Sequence, residues 1–142
     1  MQLVIGGAYS GKRTIVKQKS QSLCWISSYQ GDRLDDWPQK WIPRTTLVLE
    51  GWEKWVAIEI THQQGDDIIR EKFKVALKAL KEEGLKRGEE IVLIMLETGR
   101  GIVPMTREDR RLRDLSGWLA QDAVEMSDEV FYIWHGLERR LK

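Results

Sequence analysis

Residues 6–14 read GGAYSGKRT, with Gly6, Gly11 and Lys12 spaced as in the phosphate-binding pattern G-x-x-x-x-G-K-[ST]. The short apolar run at 3–5 predicts a buried strand before this stretch, and residues 12–20 predict a short helix after it. Glycines let the backbone curl so that its N–H groups face phosphate oxygens, and the helix adds its positive N-terminal end. The strand–loop–helix context therefore favours a nucleotide-binding loop over a tight turn with a surface lysine. Its predicted residues are Gly6, Gly7, Ala8, Tyr9, Ser10, Gly11, Lys12, Arg13 and Thr14.

The rest of the chain alternates predicted strands with predicted helices. Apolar runs at 23–26, 47–49, 91–95 and 130–134 predict strands, and the run at 91–95 is typical of a parallel strand covered on both faces. Helices are expected at 52–60, from 66 to an end at Gly84, and after a capping box formed by Thr106 and Asp109. Residues 31–44 look irregular, and the chain closes with a basic tail. This order predicts an α/β protein with a P-loop NTPase-like three-layer fold, a mainly parallel sheet and a single nucleotide-binding domain over residues 1–142.

The composition excludes several classes of protein. The net charge is +1, which gives no case for binding nucleic acid or an anionic membrane, and no apolar stretch is long enough to span a bilayer. The one cysteine, Cys24, fits a reducing compartment, and we find no pattern of a signal peptide. A cytoplasmic location is therefore expected.

Two carboxylates follow apolar strands. Glu50 and Glu97 each end a run of this kind, and parallel strands bring such ends to the edge where Lys12 is expected. Each could hold Mg²⁺ through water or orient an attacking hydroxyl, whereas the alternative is a carboxylate that favours the start of the next helix. Together with the loop, they predict Lys12, Glu50 and Glu97 as catalytic residues and Glu50 as the metal ligand.

Arg13 stands where the loop pattern requires Ser or Thr. That hydroxyl normally binds Mg²⁺, and a guanidinium offers only hydrogen-bond donors. Thr14 has a hydroxyl but points about 100° away on a helix of 3.6 residues per turn. Two alternatives remain open: Mg²⁺ rests on acidic residues, water and the phosphates, or Arg13 itself adds positive charge to a bound phosphate.

The C-terminal third carries specific motifs. Residues 97–121 read ETGRGIVPMTREDRRLRDLSGWLAQ, and residues 135–142 read HGLERRLK. They resemble the adenosylcobinamide kinase/adenosylcobinamide-phosphate guanylyltransferase family, with its motifs N-E-V-G-x-G-I-V-P, R-R-F-R-D-x-x-G-R-x-N-Q and G-x-P-x-x-L-K. LVLEGWEKW, at 47–55, is similar to the family's L-x-D-C-L-T-x-W. The matching residues are Glu97, Gly99, Gly101, Ile102, Val103, Pro104, Arg110, Arg111, Arg113, Asp114, Gly117, Gln121, Gly136, Leu141, Lys142 and Trp55.

The resemblance implies a protein with a P-loop fold that is often trimeric. It also implies that the protein acts at a late stage of cobalamin assembly. It implies phosphorylation of adenosylcobinamide with ATP or GTP and Mg²⁺, followed by GMP transfer through a guanylylated histidine. The implied partners are a nucleotide, a cobinamide-like corrinoid and further copies of the chain. Arg110 and Arg113, which suit bidentate phosphate contacts, and Trp55, whose ring can stack, are the expected substrate-binding residues. For the arginines the alternative is a solvated helix face, and for the tryptophan it is core packing.

The chain departs from the family pattern at functional positions. The family's nucleotide-accepting histidine lies after the second strand, where residues 27–43 read SSYQGDRLDDWPQKWIP without a histidine. The two histidines, His62 and His135, lie in other segments. We therefore expect guanylyl transfer through histidine to be lost. Two functions remain open: a nucleotide-dependent kinase acting on a cobinamide-like alcohol, or a non-catalytic relative that binds nucleotide or corrinoid or acts through a partner.

Overall fold

A computed structural model describes residues 1–97 and 106–142 of the chain. Its strands are β1 Gln2–Gly6, β2 Leu23–Ser27, β3 Thr46–Glu50, β4 Ile91–Leu96, β5 Glu129–Trp134 and β6 Leu137–Arg140. Its helices are α1 Lys12–Lys19, α2 Trp37–Lys40, α3 Trp52–Thr61, α4 Asp66–Arg87 and α5 Arg107–Met126. Short 3₁₀ turns cover Ser28–Gln30 and Leu34–Asp36.

The strands form one sheet in the order β2-β3-β4-β1-β5-β6. β1 lies between β4 and β5, so that Gly6 is paired with Leu96 on one side and Ile133 on the other. Strands β1 to β5 run parallel, and only β6 is antiparallel, to β5. The predicted α/β fold with a mainly parallel sheet is confirmed. The end of β1, from which the predicted phosphate loop departs, lies at the carboxyl edge of the central part of this sheet.

Helices cover both faces of the sheet, because successive side chains of a strand point to opposite faces. Leu3 packs with the larger apolar cluster, which contains the buried faces of α3, α4 and α5, whereas its neighbour Val4 packs with Ile15 and Val16 of α1. The sheet is therefore the middle of three layers. Among the described residues, no helix is long and apolar enough to cross a membrane.

The predicted end of α4 at Gly84 is wrong. The helix continues to Arg87, and Gly88 ends it in the left-handed conformation, with φ +67°. Gly84 is instead a buried packing position, where a Cβ would lie 2.9 Å from Cδ1 of Ile91. This glycine is required by the close approach of α4 to β4, and the sequence signal that ends the helix is the next glycine along the chain.

The expected basic tail is a strand. His135 and Gly136 have φ values of +49° and +74°, and this two-residue turn folds β6 back on β5 with Trp134 opposite Leu137. Paired positive φ values of this kind match the twist of a β-hairpin. Residues 31–44, expected to be irregular, likewise contain the 3₁₀ turn Leu34–Asp36 and the one-turn helix α2.

Candidate functional site

The predicted phosphate loop connects β1 directly to α1, and its glycines are required by the backbone. A Cβ on Gly6 would lie 2.4 Å from the carbonyl oxygen of Ile133. Gly11 precedes α1 with φ +99°, a conformation that other residues rarely adopt. Tyr9 has φ +59°, and its side chain is fully exposed at the tip of the loop. The loop is therefore a tight turn whose apex is open to solvent.

Lys12, the first residue of α1, folds back over the loop. Its Nζ donates hydrogen bonds to the carbonyl oxygens of Gly6, at 3.1 Å, and Gly7, at 2.5 Å. Burial lowers the pKa of the Lys12 ammonium, while the negative charges of Glu53, Glu50 and Glu97 act in the opposite direction. The lysine thus places its positive charge at the loop, within the field of three carboxylates.

A cavity of about 620 Å³ opens beside the loop, a volume that suits a small-molecule ligand. It contains seven of the nine residues predicted from the sequence to bind nucleotide, together with Glu50. Its lining consists of Ala8, Tyr9, Ser10, Gly11, Lys12, Arg13, Thr14, Tyr29, Glu50, Gly51, Ile94 and Leu96. The strand β4 thus contributes to the same cavity as the loop.

Glu50 and Arg13 form an ion pair inside this cavity. Nε of Arg13 lies 3.2 Å from Oε2 of Glu50, and the Glu50 side chain is only 2% exposed. The Arg13 guanidinium also lies over the ring of Trp25, 5.3 Å from its centroid. The sequence predicts both charged residues at this edge of the sheet but not their contact, because the contact depends on how α1 is rotated against β3.

Glu97 is joined to the start of the loop through its backbone. Its N–H donates to the carbonyl oxygen of Gly6 at 2.8 Å, and its Oε2 accepts a hydrogen bond from the hydroxyl of Tyr132 at 2.7 Å. The structure therefore brings Lys12, Glu50 and Glu97 to one edge of the sheet, as the strand ends indicated. Their catalytic roles stay predictions.

Two residues of the site were missed from the sequence: Tyr29, which lines the cavity, and Trp25, whose ring lies against the Arg13 guanidinium. The hydroxyl of Tyr29 donates to Oε1 of Glu53. Burial and the bond to Glu53 raise the pKa of Tyr29. Its position directly after β2, at the same sheet edge as Glu50, was the signal that could have found it. Trp25 was also missed, because a tryptophan in a predicted strand reads as core.

Trp55 lies at a different cavity, of about 520 Å³, formed by residues 31–35 together with α3 and α4. Its Nε1–H donates to the carbonyl oxygen of Asp32 at 2.9 Å, and Oδ2 of Asp32 accepts from the N–H of Ser27. Trp55 thereby holds the backbone of the segment at 27–43, in which the family's nucleotide-accepting histidine is absent. His62 lines the same cavity, with its Nδ1 3.8 Å from Oε2 of Glu59. A histidine remote in sequence therefore lies beside this segment.

The two arginines predicted to bind substrate lie on the first two turns of α5. Arg110 is exposed, and Arg113 donates to Oδ1 of its neighbour Asp114 at 3.2 Å. Among the described residues that line the loop cavity, neither arginine is present. Their role in substrate binding stays a prediction. The motif residues Gly99, Gly101, Ile102, Val103 and Pro104 lie outside the described residues.

A mainly parallel sheet with a G-x-x-x-x-G-K loop between its central strand and the first helix defines an α/β protein of the P-loop type. The chain belongs to the cobinamide kinase / cobinamide phosphate guanyltransferase family, whose model matches residues 32–141. The family resemblance found in the sequence is thus confirmed, and it places the chain among nucleotide-using transferases of cobalamin biosynthesis. The match begins after the phosphate loop, so the evidence for that loop comes from the sequence and the structure and is independent of the family match. A search of curated proteins gives no significant match.

Proposed function

We propose that this chain binds ATP or GTP at the loop cavity and phosphorylates the alcohol of a cobinamide-like corrinoid. The observation that supports the proposal is the convergence of Lys12, Glu50 and Glu97 on the loop between β1 and α1. Backbone N–H groups of such a loop cradle phosphates, and its lysine reaches the β- and γ-phosphates. Family membership supplies the corrinoid and the nucleotide as the substrate class.

The proposed reaction needs little more from the protein than positioning and charge. The oxygen of the acceptor alcohol attacks the γ-phosphorus, the bond from that phosphorus to the bridging oxygen breaks, and the nucleoside diphosphate leaves. The proton of the alcohol passes to the carboxylate of Glu97, which Tyr132 holds by its hydroxyl. Lys12 balances the charge of the phosphates, and Arg110, Arg113 and Trp55 are proposed contacts to the corrinoid.

We also propose that histidine-mediated guanylyl transfer is lost. Residues 27–43 contain no histidine, and Trp55 and Asp32 hold the backbone of that segment. His62 lines the cavity of this segment, but it is not among the described residues that line the cavity of the loop. A nucleophile remote from the α-phosphate has no route to a covalent guanylyl intermediate.

Two labels of one nucleotide test the proposal. With adenosylcobinamide and γ-labelled ATP or GTP, we expect label in the corrinoid. With α-labelled GTP and subsequent denaturation, we expect no label on the protein. Binding without transfer of the γ-label contradicts the kinase proposal, and acid-labile label on His62 or His135 contradicts the loss of guanylyl transfer.

The second candidate function is a non-catalytic relative that binds nucleotide or corrinoid or acts through a partner. The Arg13–Glu50 ion pair favours this function. In a loop of the usual pattern a hydroxyl and a carboxylate at these positions would help to hold the Mg²⁺ that phosphoryl transfer uses, whereas here the carboxylate is paired with a guanidinium. Calorimetric titration with ATP, GTP and adenosylcobinamide, followed by a phosphorylation assay, separates the two candidates, because the second function gives no transfer of the γ-phosphate. A homo-oligomer, trimeric by the family resemblance, is proposed for either function and is measured by light scattering.

A further inference from the structure

The residues at the loop do not fit the Mg²⁺ ion that the loop pattern implies. The residue after the lysine normally supplies a hydroxyl to the ion, whereas Arg13 supplies only donors and a positive charge. The predicted metal ligand, Glu50, has its Oε2 on the guanidinium. Its Oε1 is shielded from solvent and has no hydrogen-bond partner among the described residues. Those residues also include no group of three or more His, Cys, Asp or Glu side chains that could hold a metal.

Among the described residues near the loop, Oε1 of Glu50 and Oε2 of Glu53 are buried carboxylate oxygens without a hydrogen-bond partner, and such an atom accepts a cation readily. A hydrated ion, however, has no open path to an atom that is closed to solvent. It would also have to bind beside a guanidinium that already neutralises the Glu50 carboxylate, and like charges at such distances repel. The donor set therefore favours an anion over a metal at this position.

Arg13 is fixed on two sides. Glu50 contacts its Nε, and the ring of Trp25 lies against its guanidinium. The side chain is still 54% exposed, and it lines the same cavity as Lys12. An arginine presents five N–H donors in a rigid plane, so a contact at Nε leaves the terminal nitrogens available for phosphate oxygens.

We propose that the guanidinium of Arg13 takes the place of Mg²⁺, so that this site binds the metal-free nucleotide. The proposal rests on the nucleotide binding argued above. Glu50 acts as a positioning residue that holds Nε, while the terminal nitrogens of Arg13 and the ammonium of Lys12 contact the phosphates. The negative charge of the nucleotide is thus balanced by Lys12 and Arg13, the first two residues of α1.

Calorimetric titration of the whole chain with ATP and GTP, in excess EDTA and in millimolar Mg²⁺, tests the proposal. We expect affinities in the two conditions to agree within about threefold, because Mg²⁺ has no protein ligand to gain. Affinity that is more than about tenfold tighter with Mg²⁺ overturns the proposal and leaves nucleotide binding intact. No binding in either condition overturns the nucleotide proposal itself, so the two failures are distinct.

The variant Arg13→Ser restores the hydroxyl of the loop pattern and should make nucleotide binding depend on Mg²⁺. Lys17→Ser is its control. Lys17 lies one turn further along α1 and also approaches the ring of Trp25, so its replacement removes the same charge without touching Glu50. We expect Arg13→Ser to bind at least about tenfold more weakly in EDTA and to recover with Mg²⁺, whereas Lys17→Ser keeps the parent's indifference to Mg²⁺. Thermal unfolding followed by circular dichroism verifies that both variants are folded. Equal affinity of folded Arg13→Ser and the parent protein in EDTA contradicts the proposal.

Discussion

The backbone N–H of Gly136 donates a hydrogen bond to the carbonyl oxygen of Ser10 at 2.8 Å. This bond joins the turn of the β5–β6 hairpin to the phosphate loop, which lies about 126 residues earlier in the chain. Gly11 lies against the same turn, where a Cβ would come within 3.2 Å of Cα of Gly136. The β5–β6 hairpin therefore supports the phosphate loop from one side. The conformation of the loop depends on this hydrogen bond and on the close approach of Gly11 to the turn.

Gly11→Ala is expected to destabilise the fold by about 1–3 kcal/mol, the cost of a strained backbone conformation. Gly31→Ala is the control, since Gly31 has a similar φ of +84° but open space around its Cβ. We expect Gly11→Ala to cost more than the control in urea unfolding and to weaken nucleotide binding. Equal unfolding free energies for the two variants would show that the hairpin does not confine Gly11.

Lys12→Ala is expected to weaken nucleotide binding by about 1.5–3 kcal/mol, the scale of a charged hydrogen bond. The lysine lies at the loop cavity and already bonds the loop carbonyls of Gly6 and Gly7. Calorimetry on Lys12→Ala and Lys17→Ala compares two lysines of the same helix. If both variants bind as the parent does, the nucleotide does not sit on this loop.

Tyr29 is expected to make stability depend on alkaline pH. Burial and the hydrogen bond to Glu53 raise the pKa of Tyr29 in the folded chain. A group with a raised folded pKa contributes stability that is complete below its unfolded pKa, about 10 for tyrosine, and is lost as pH rises through the folded value. Tyr29→Phe should therefore reduce the loss of unfolding free energy above that pH.

Phenolate absorbance gives an independent measurement of the same shift. The difference between the parent and Tyr29→Phe isolates one phenol, whose ionisation should occur at higher pH than in a model peptide. Tyr9→Phe is the control, because Tyr9 is fully exposed at the loop tip. A Tyr29 phenol that ionises at the ordinary pKa would show that its bond to Glu53 does not form in solution.

Arg70 and Asp122 form a bidentate ion pair between α4 and α5. Nε and Nη2 of Arg70 donate to the two oxygens of Asp122 at 3.1 and 3.0 Å, and the Asp122 side chain is 5% exposed. Removing one partner of a buried pair costs about 3–5 kcal/mol. Because Arg70 is partly exposed, we expect a smaller cost, about 1–3 kcal/mol, for Arg70→Met.

A double-mutant cycle isolates this pair. Arg70→Met combined with Asp122→Leu leaves no buried charge, so the double variant should be more stable than the sum of the two single changes indicates. Urea unfolding measures all four proteins. Strict additivity of the single changes would show that the interaction free energy between the Arg70 and Asp122 side chains is zero.

Much of the fold could be predicted because apolar runs and turn residues are local signals. The apolar runs at 3–5 and 91–95 placed β1 and β4, and the glycines at 6, 7 and 11 placed the loop. The error at Gly84 arose because helix ends and close packing both use glycine, and only the approach of Ile91 distinguishes them. β6 was missed because the residues 137–140 are mostly charged, and the turn at His135 and Gly136 carries its signal instead.

The candidate site was predicted in its elements but not in its pairings. Strand ends predicted that Glu50 and Glu97 would meet Lys12 at one edge. That Glu50 bonds Arg13, or that Trp25 lies against the guanidinium, depends on side-chain conformations across three elements. Trp55 also donates to the carbonyl oxygen of Asp32, a contact that is set by how residues 31–35 return over α3, and its role in substrate binding stays a prediction.

The central place of β1 has a consequence for hydrogen exchange. Its amides are enclosed by β4 on one side and β5 on the other, so they should exchange only when the whole domain opens. The edge strand β6, whose four residues are all exposed, should exchange by local fraying. Deuterium uptake should therefore appear early in β6, the outer strand of the hairpin that supports the phosphate loop, and last in β1, the strand from which the loop departs.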